Sequence, residues 1–160
     1  MSETSSAQRR ALLIVDHGTR SAEANLRLAA FAEQVASARP EWRVTHAHME
    51  LAQPDMPTAI DALVAEGAVE IHIHLHFLSA GYHVRETIPE LVEAARARHT
   101  QIDIRVFAPI GEDPRLVDIV IDQIDRTDHE ATGRGRTVKH RARSQAAYYC
   151  ACSRRQRSKA

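Results

Sequence analysis

Short apolar runs alternate with longer segments of helical periodicity along most of the chain. The run Ala11–Val15 is continuously apolar and stops at the tripeptide DHG, which is typical of a buried parallel strand that turns sharply at its carboxyl end. Apolar residues then recur at helical spacing over 22–38, with Ser21 available as a cap and Pro40 just beyond. This pattern predicts a first strand followed by a first helix.

The same succession occurs three more times. Strands are predicted at 42–51, 69–78 and 102–108. Helices are predicted at 55–66, with Asp55 as the cap, at 85–98 and from 113 onward. Four strand-helix units in a row imply an α/β fold, in which helices cover both faces of a parallel sheet of about four strands. We expect one domain, because 160 residues give little support for two cores.

The balance of charge changes abruptly after Asp125. Residues 1–125 contain 11 Lys or Arg and 19 Asp or Glu, for a net charge of −8, whereas 126–160 contain 10 and 2, for +8. The basic segment has no sustained apolar period and few large aliphatic residues, which is typical of disorder. We therefore expect a disordered N-terminus over 1–10, a folded domain over 11–125 and a disordered basic tail over 126–160.

Composition also argues against several classes of function. The 2 cysteines form a C-A-C pair in the basic tail, so neither a disulfide framework nor a zinc ribbon is expected. The first ten residues are polar and the run ALLIV is only five residues long, so we expect no signal peptide, membrane span or membrane partner. A cytoplasmic enzyme or binding protein fits these features.

Histidines are concentrated in the segment HIHLHFLSAGYH, which ends at His83. Ligands of open α/β sheets bind at the carboxyl ends of the strands, where His17 follows the first strand and His83 follows the third. Two neutral imidazoles with a carboxylate, for which Glu50 at the end of the second strand is the nearest candidate, can hold a first-row divalent ion. The alternative is that the histidines are turn residues and that Glu50 pairs with an arginine.

The histidines that alternate along the third strand are not expected to bind one shared metal ion. Residues two apart along a strand are roughly 6.5–7 Å apart, so His72, His74 and His76 cannot easily converge on one ion. We interpret His72 as part of a polar strand face. His74 and His76 lie nearer the functional edge and are candidates for binding anionic groups of a ligand or for proton transfer.

Four motifs, in order along about 11–125, resemble the sirohydrochlorin chelatases, a group of small class II tetrapyrrole chelatases. They are DHGTR followed by EAN, MELAQP with a second proline, FLSAGYHVRETIP and APIGEDP. The resemblance implies a flavodoxin-like chelatase fold and insertion of a divalent ion into a sirohydrochlorin-type tetrapyrrole, in cobalamin or siroheme biosynthesis. It also implies that His17 and His83 bind the ion, that Glu50 belongs to the same site, and that the short chain forms a homodimer.

The resemblance also sets the expected ligands. Cobalt is the first expectation for the ion, with iron or nickel as alternatives, and no organic cofactor is expected. His83 or Glu50 would accept a pyrrole proton, and activity should fall below about pH 6 because ligating histidines must be neutral. The many carboxylates of sirohydrochlorin need basic partners, and the candidates are Arg20, Arg85, His74 and His76. Arg20 is equally interpretable as a solvated loop residue.

Two positions depart from the family pattern. Leu75 stands where the family usually has a Pro. Thr87 stands where the family usually has an Asp, and Glu86 beside it is the candidate replacement if that Asp orients a histidine.

Two other functions remain open at this stage. A metal carrier of the same fold would keep His17 and His83 without needing a macrocycle pocket. The +8 tail, with Tyr148 and Tyr149 as stacking residues, suggests nucleic-acid binding, but the tail lacks a recognisable module. Nucleic acid is therefore not an expected partner.

Overall fold

The computed structural model describes residues 9–132, and its strands and helices follow the predicted order. The strands are β1 (Arg10–Asp16), β2 (Arg43–His48), β3 (Glu70–Leu75) and β4 (Asp103–Val106). The helices are α1 (Ala22–Ala38), α2 (Met56–Ala65), α3 (Ile88–Arg98) and α4 (Arg115–Thr132). The four strands are parallel in the order β2-β1-β3-β4, which confirms the predicted α/β fold.

The two helices after β1 and β2 begin where their caps predict. The hydroxyl of Ser21 accepts a hydrogen bond from Ala24 N at 3.3 Å, and the Asp55 carboxylate accepts one from Thr58 N at 2.8 Å. Helix α3 differs from its prediction, because a π-helical turn at His83–Thr87 leads directly into it. The ordered turn therefore begins two residues before the predicted start at 85.

Strands β2 and β3 are shorter than predicted. They end at His48 and Leu75, whereas the apolar pattern extends to Leu51 and Leu78. Both pair with β1, which ends at Asp16. A strand cannot continue its ladder beyond the end of its neighbour, so the residues that follow β2 and β3 become loops at the carboxyl edge of the sheet.

Helices cover both faces of the sheet, as predicted. On one face, helices α2 and α3 pack against a core that includes Leu13, Ile71 and Ile73, all fully buried. On the other face, Leu28 and Ala32 of α1 pack with strand residues Ile14 and Val44. Each buried leucine or isoleucine side chain stabilises the fold by about 1.5–3 kcal/mol.

The chain divides into two compact units between Glu112 and Asp113. The first contains the sheet with α1, α2 and α3, and the second contains α4. Helix α4 extends to Thr132, so the predicted loss of regular structure from residue 126 is wrong for the start of that segment. No glycine or proline interrupts the sequence from Arg115 until Gly133, which explains why the helix continues.

The predicted disorder of the two chain ends stays a prediction. Residues 1–8 and 133–160 lie outside the described residues. At the start of the described part, Arg10 already belongs to β1, and the carbonyl of Arg9 accepts a hydrogen bond from Val69 N at 2.9 Å. Within 9–132, no helix is both long and apolar enough to cross a membrane. The cytoplasmic location also remains a prediction.

Candidate metal centre

His17, Glu50 and His83 come together at the carboxyl edge of the sheet. His17 follows β1 directly, Glu50 lies two residues after β2, and His83 opens the π-helical turn after β3. One potential ligand atom from each side chain lies within 4.8 Å of the other two. The central position of β1, between β2 and β3, brings the three loops into contact. These are the three residues that the sequence predicted for the site.

His17 presents an imidazole nitrogen to the Glu50 carboxylate. Its Nε2 lies 3.0 Å from Glu50 Oε1, and its Nδ1 lies 3.3 Å from the carbonyl oxygen of Gly18. Both partners can only accept and the neutral ring has one N–H, so the shorter contact to the carboxylate favours the proton on Nε2. Two acceptors at this distance repel each other unless a proton or a cation binds both. Nitrogen and oxygen ligands roughly 2.0–2.2 Å from one metal ion fit this spacing.

His83 completes the cluster from the other side of His17. The two ring centroids are 5.1 Å apart and the ring planes are nearly perpendicular, at 77°. His83 Nδ1 lies 3.4 Å from the hydroxyl of Thr87 in the same π-helical turn. When Nδ1–H donates to this hydroxyl, Nε2 remains available as a ligand. Thr87 thus occupies the orienting position, whereas the neighbouring Glu86 is exposed.

Backbone packing holds the loops of His17 and Glu50 together. Glu50 N donates a hydrogen bond to the carbonyl of His17 at 3.1 Å, next to a bond from Met49 N to Asp16 O at 2.9 Å. Gly18 has φ 80° and packs against this loop so closely that a β-carbon would lie 2.1 Å from Glu50 O. Only glycine fits both the conformation and the space.

A groove of about 420 Å³ lies between the start of α1 and the loop after β2. Leu26 and Leu51 line it and are 67% and 54% exposed, so its walls offer apolar surface to a ligand. Arg20 also lines the groove and forms no ion pair with another described residue. An apolar wall beside an unpaired guanidinium suits a flat apolar molecule that carries carboxylates.

The other predicted tetrapyrrole contacts lie elsewhere. Arg85 is exposed on the π-helical turn, and neither it nor His74 or His76 lines the groove. His74 Nε2 and His76 Nδ1 are buried and have no hydrogen-bond partner among the described residues. Burial, followed by the nearby His76, lowers the pKa of His74. Both rings lie on the face of the sheet that α1 covers, because His74 pairs in register with Ile14, which packs against α1, and His76 packs 5.0 Å from Phe31.

His72 has a structural environment, in agreement with its interpretation as part of a polar strand face. Its Nε2 lies 2.7 Å from Glu70 Oε1. Its ring packs between Trp42 and Phe107, at centroid distances of 4.9 and 5.3 Å. These contacts leave His72 outside the cluster at the carboxyl edge.

Asp16 and His48 were not among the residues predicted for the site. His48 is 1% exposed, and its Nδ1 lies 2.6 Å from Asp16 Oδ1. Both residues end their strands at the same register position. Alternation along the second strand places His46 and His48 on one face, but only the strand order shows that Asp16 is their neighbour.

Comparison with known proteins gives one consistent group. A family model described as CbiX matches residues 11–127. The chain is 35% identical over 113 residues to the chloroplastic sirohydrochlorin ferrochelatase of Arabidopsis thaliana, with 71% of this chain and 50% of that protein covered. It is 28% identical over 137 residues to the sirohydrochlorin cobaltochelatase of Methanocaldococcus jannaschii, with 71% and 96% covered. The chain thus spans about half the length of the ferrochelatase.

A solved structure supports the same grouping. The sirohydrochlorin chelatase SirB from Bacillus subtilis subspecies spizizenii, in complex with cobalt, superposes with a TM-score of 0.62 at 30% sequence identity. The match covers 74% of this chain and 50% of that one.

Proposed function

The chain belongs to the CbiX family of sirohydrochlorin chelatases, and from this premise we propose that it inserts a divalent metal ion into a sirohydrochlorin-type tetrapyrrole. The observation that carries the proposal is the convergence of His17, Glu50 and His83 within 4.8 Å. Cobalt is the proposed ion, because the chain covers 96% of a cobaltochelatase but only 50% of a ferrochelatase. Iron is the alternative ion, and the pathway is cobalamin or siroheme biosynthesis accordingly.

The ion would be bound by two imidazoles and one carboxylate. This donor set suits Co²⁺ and Fe²⁺ and leaves coordination positions open for pyrrole nitrogens. The side chains of His17 and Glu50 are 44% and 46% exposed, so both the ion and a macrocycle can reach them. The ion then exchanges its protein ligands one at a time for macrocycle nitrogens.

Metal insertion requires proton acceptors as well as metal ligands. A free-base tetrapyrrole loses two N–H protons when a divalent ion binds its nitrogens, and the reaction forms no covalent bond to the protein. As the ion leaves Glu50 and His83, their carboxylate and imidazole become free bases within reach of the same nitrogens. We propose that these two groups accept the pyrrole protons.

The groove beside the cluster would hold one edge of the macrocycle. Leu26 and Leu51 would contact its apolar surface, and Arg20 would bind a peripheral carboxylate. Arg85 follows His83 on the exposed turn, and we propose it as a second carboxylate partner. Anion binding by His74 and His76 remains a prediction.

We also propose that two copies of the chain form a homodimer. Two copies would match the length of the ferrochelatase relative, half of which this chain covers. Helix α4 carries an apolar stripe at helical spacing, formed by Val117, Val120, Ile121 and Ile124. Sedimentation equilibrium of the full chain tests this proposal, which a monomer at micromolar concentration would contradict.

The chelatase activity is tested by anaerobic mixing of the protein with sirohydrochlorin and Co²⁺, with Fe²⁺ in a parallel series. The loss of the metal-free absorption spectrum gives the insertion rate. We expect the wild type to exceed the rate without protein, and the double variant His17→Ala, His83→Ala to match it. His99→Gln, which removes a histidine at the end of α3, is the matched control and should retain the wild-type rate.

A different result would favour the metal carrier. If the wild type binds Co²⁺ but the ion enters the tetrapyrrole no faster than in the protein-free solution, the protein is a metal carrier without insertion activity. If neither binding nor insertion depends on His17 and His83, the proposed site is wrong.

A further inference from the structure

We propose that Asp16 and His48 form a buried bridge that positions His17 and Glu50 for metal binding. The consequence for catalysis rests on the proposed chelatase function, whereas the consequence for metal affinity does not. Neither residue belongs to the three-residue cluster, so both would act through the loops that carry the ligands.

The bridge joins the last residues of two adjacent strands. Asp16 ends β1 and His48 ends β2, at paired register positions. The Nδ1 of His48 lies 2.6 Å from Asp16 Oδ1, and the side chains are 1% and 23% exposed. A hydrogen bond to a carboxylate is strong and directional where water is excluded. The bridge therefore fixes the two strand ends relative to each other.

On the side of His17, the same carboxylate oxygen holds the turn. Asp16 Oδ1 accepts a hydrogen bond from Gly18 N at 2.9 Å, so the residues before and after His17 are tied together. This bond holds the backbone at the φ of 80° that Gly18 adopts. A β-carbon on Gly18 would also lie 2.9 Å from His48 Cβ, so the turn packs directly on the bridge.

On the side of Glu50, His48 anchors the loop. His48 N donates a hydrogen bond to the carbonyl of Pro54 at 2.8 Å, which closes the loop that contains Glu50. Within that loop Leu51 has φ 67°, a left-handed conformation that is unfavourable for a residue with a β-carbon. The contacts of the loop must hold this conformation, and the loop begins and closes at the buried His48.

Metal binding is sensitive to such positioning. Ligand distances in metal sites lie within about 0.2 Å of their ideal values, and loss of a group that orients a ligand typically lowers affinity by roughly 10–100-fold. One carboxylate oxygen of Asp16 contacts both Gly18, in the loop of His17, and His48, the strand residue from which the loop of Glu50 starts. Its removal should therefore displace His17 and Glu50 relative to each other.

The test compares disruptive with conservative variants of both residues in the full chain. Asp16→Ala and His48→Leu abolish the bridge, whereas Asp16→Asn keeps an acceptor and His48→Asn keeps a donor near the position of Nδ1. We expect Co²⁺ affinity, measured by the visible absorption of the bound ion, to fall at least tenfold in the disruptive pair. The asparagine variants should stay within about threefold of the wild type. His72→Leu, which removes a strand histidine with its own carboxylate contact at 2.7 Å to Glu70 but lies outside the cluster and the groove, is the matched control and should bind normally.

Thermal unfolding without metal identifies variants that fold at the temperature of the assay. The proposal is overturned if folded Asp16→Ala or His48→Leu protein binds Co²⁺ with wild-type affinity and an unchanged spectrum. It is equally overturned if folded asparagine variants lose as much affinity as the disruptive ones. In the insertion assay Asp16→Ala should lower kcat while KM for the tetrapyrrole stays constant, because Asp16 does not line the groove. If the wild type inserts no metal but Co²⁺ affinity follows this pattern, only the chelatase function fails.

Discussion

His17 Nε2 and Glu50 Oε1 face each other at 3.0 Å across two loops, close enough to share one proton or to bind one cation. A metal ion that displaces the proton of Nε2 keeps both atoms as ligands. The Glu50→Gln variant replaces one acceptor oxygen with an amide that can donate to His17. Because the pair is about half exposed, we expect the stability of Glu50→Gln without metal to lie within about 1 kcal/mol of the wild type, and its Co²⁺ affinity to be at least tenfold lower.

The measurement for Glu50→Gln is the increase in Tm on addition of Co²⁺. A ligand that binds only the folded state raises Tm, so at the same Co²⁺ concentration the increase should be larger for the wild type than for Glu50→Gln. Glu86→Gln is the matched control, because this exposed carboxylate lies outside the cluster. Equal increases in Tm for Glu50→Gln and the wild type would show that Glu50 does not bind the ion.

Thr87 orients His83 through a neutral hydroxyl, at 3.4 Å from Nδ1. A carboxylate at the same position would accept the Nδ1–H more strongly and would make Nε2 a better donor to a metal. We therefore expect Thr87→Asp to bind Co²⁺ on the order of tenfold more tightly, and Thr87→Val to bind it more weakly. Competition titration against a chelator measures both affinities. If the two variants bind equally well, residue 87 does not orient His83.

Gly18 and Gly67 both have positive φ but differ in their surroundings. A β-carbon on Gly18 would lie 2.1 Å from Glu50 O, whereas one on Gly67, at φ 96°, would meet nothing within 4 Å. Gly67→Ala should cost only about 1–2 kcal/mol, from its backbone conformation. Gly18→Ala should cost more and should also abolish Co²⁺ binding, because the loop of Glu50 must move. Denaturant unfolding and Co²⁺ titration of both variants check this, and similar losses in the two would contradict it.

Burial first, and then the nearby His48, lowers the pKa of His46 below its ordinary 6.5, and burial likewise lowers that of His74. A histidine with a lowered pKa binds fewer protons in the folded state than in the unfolded state. Its contribution to stability is complete above pH 6.5 and is lost as the pH falls through the folded-state pKa. We expect Tm to fall below pH 6.5, and the fall to be smaller in the double variant His46→Asn, His74→Gln. An identical pH dependence in the double variant would refute this assignment.

Arg20 should affect tetrapyrrole binding without affecting metal binding, because it lines the groove and is not one of the three clustered residues. We expect Arg20→Gln to raise KM for sirohydrochlorin roughly tenfold, since a charge-assisted hydrogen bond is lost. Co²⁺ affinity should be unchanged. Arg27→Gln, an exposed arginine of α1 paired with Glu23, is the control. An unchanged KM in Arg20→Gln would show that Arg20 does not bind a carboxylate of sirohydrochlorin.

Local sequence patterns were sufficient to predict the strands and helices of the fold. The apolar run of β1, the alternation along β3 and the caps at Ser21 and Asp55 depend on neighbouring residues, and each was predicted correctly. The ends of β2 and β3 were not, because they depend on where β1 stops. The continuation of α4 to Thr132 was also missed, because composition was taken as a sign of disorder where no residue interrupts the helix.

The sequence by itself determined which residues could form a metal site, since His17, Glu50 and His83 each follow a strand of a parallel sheet. Only the tertiary structure decided their geometry. The strand order β2-β1-β3 places the loop of His17 between the other two, and this order depends on contacts between residues far apart in the chain. The bridge between Asp16 and His48 could not be predicted from the sequence for the same reason. Its 2.6 Å contact exists only once β1 and β2 pair in register.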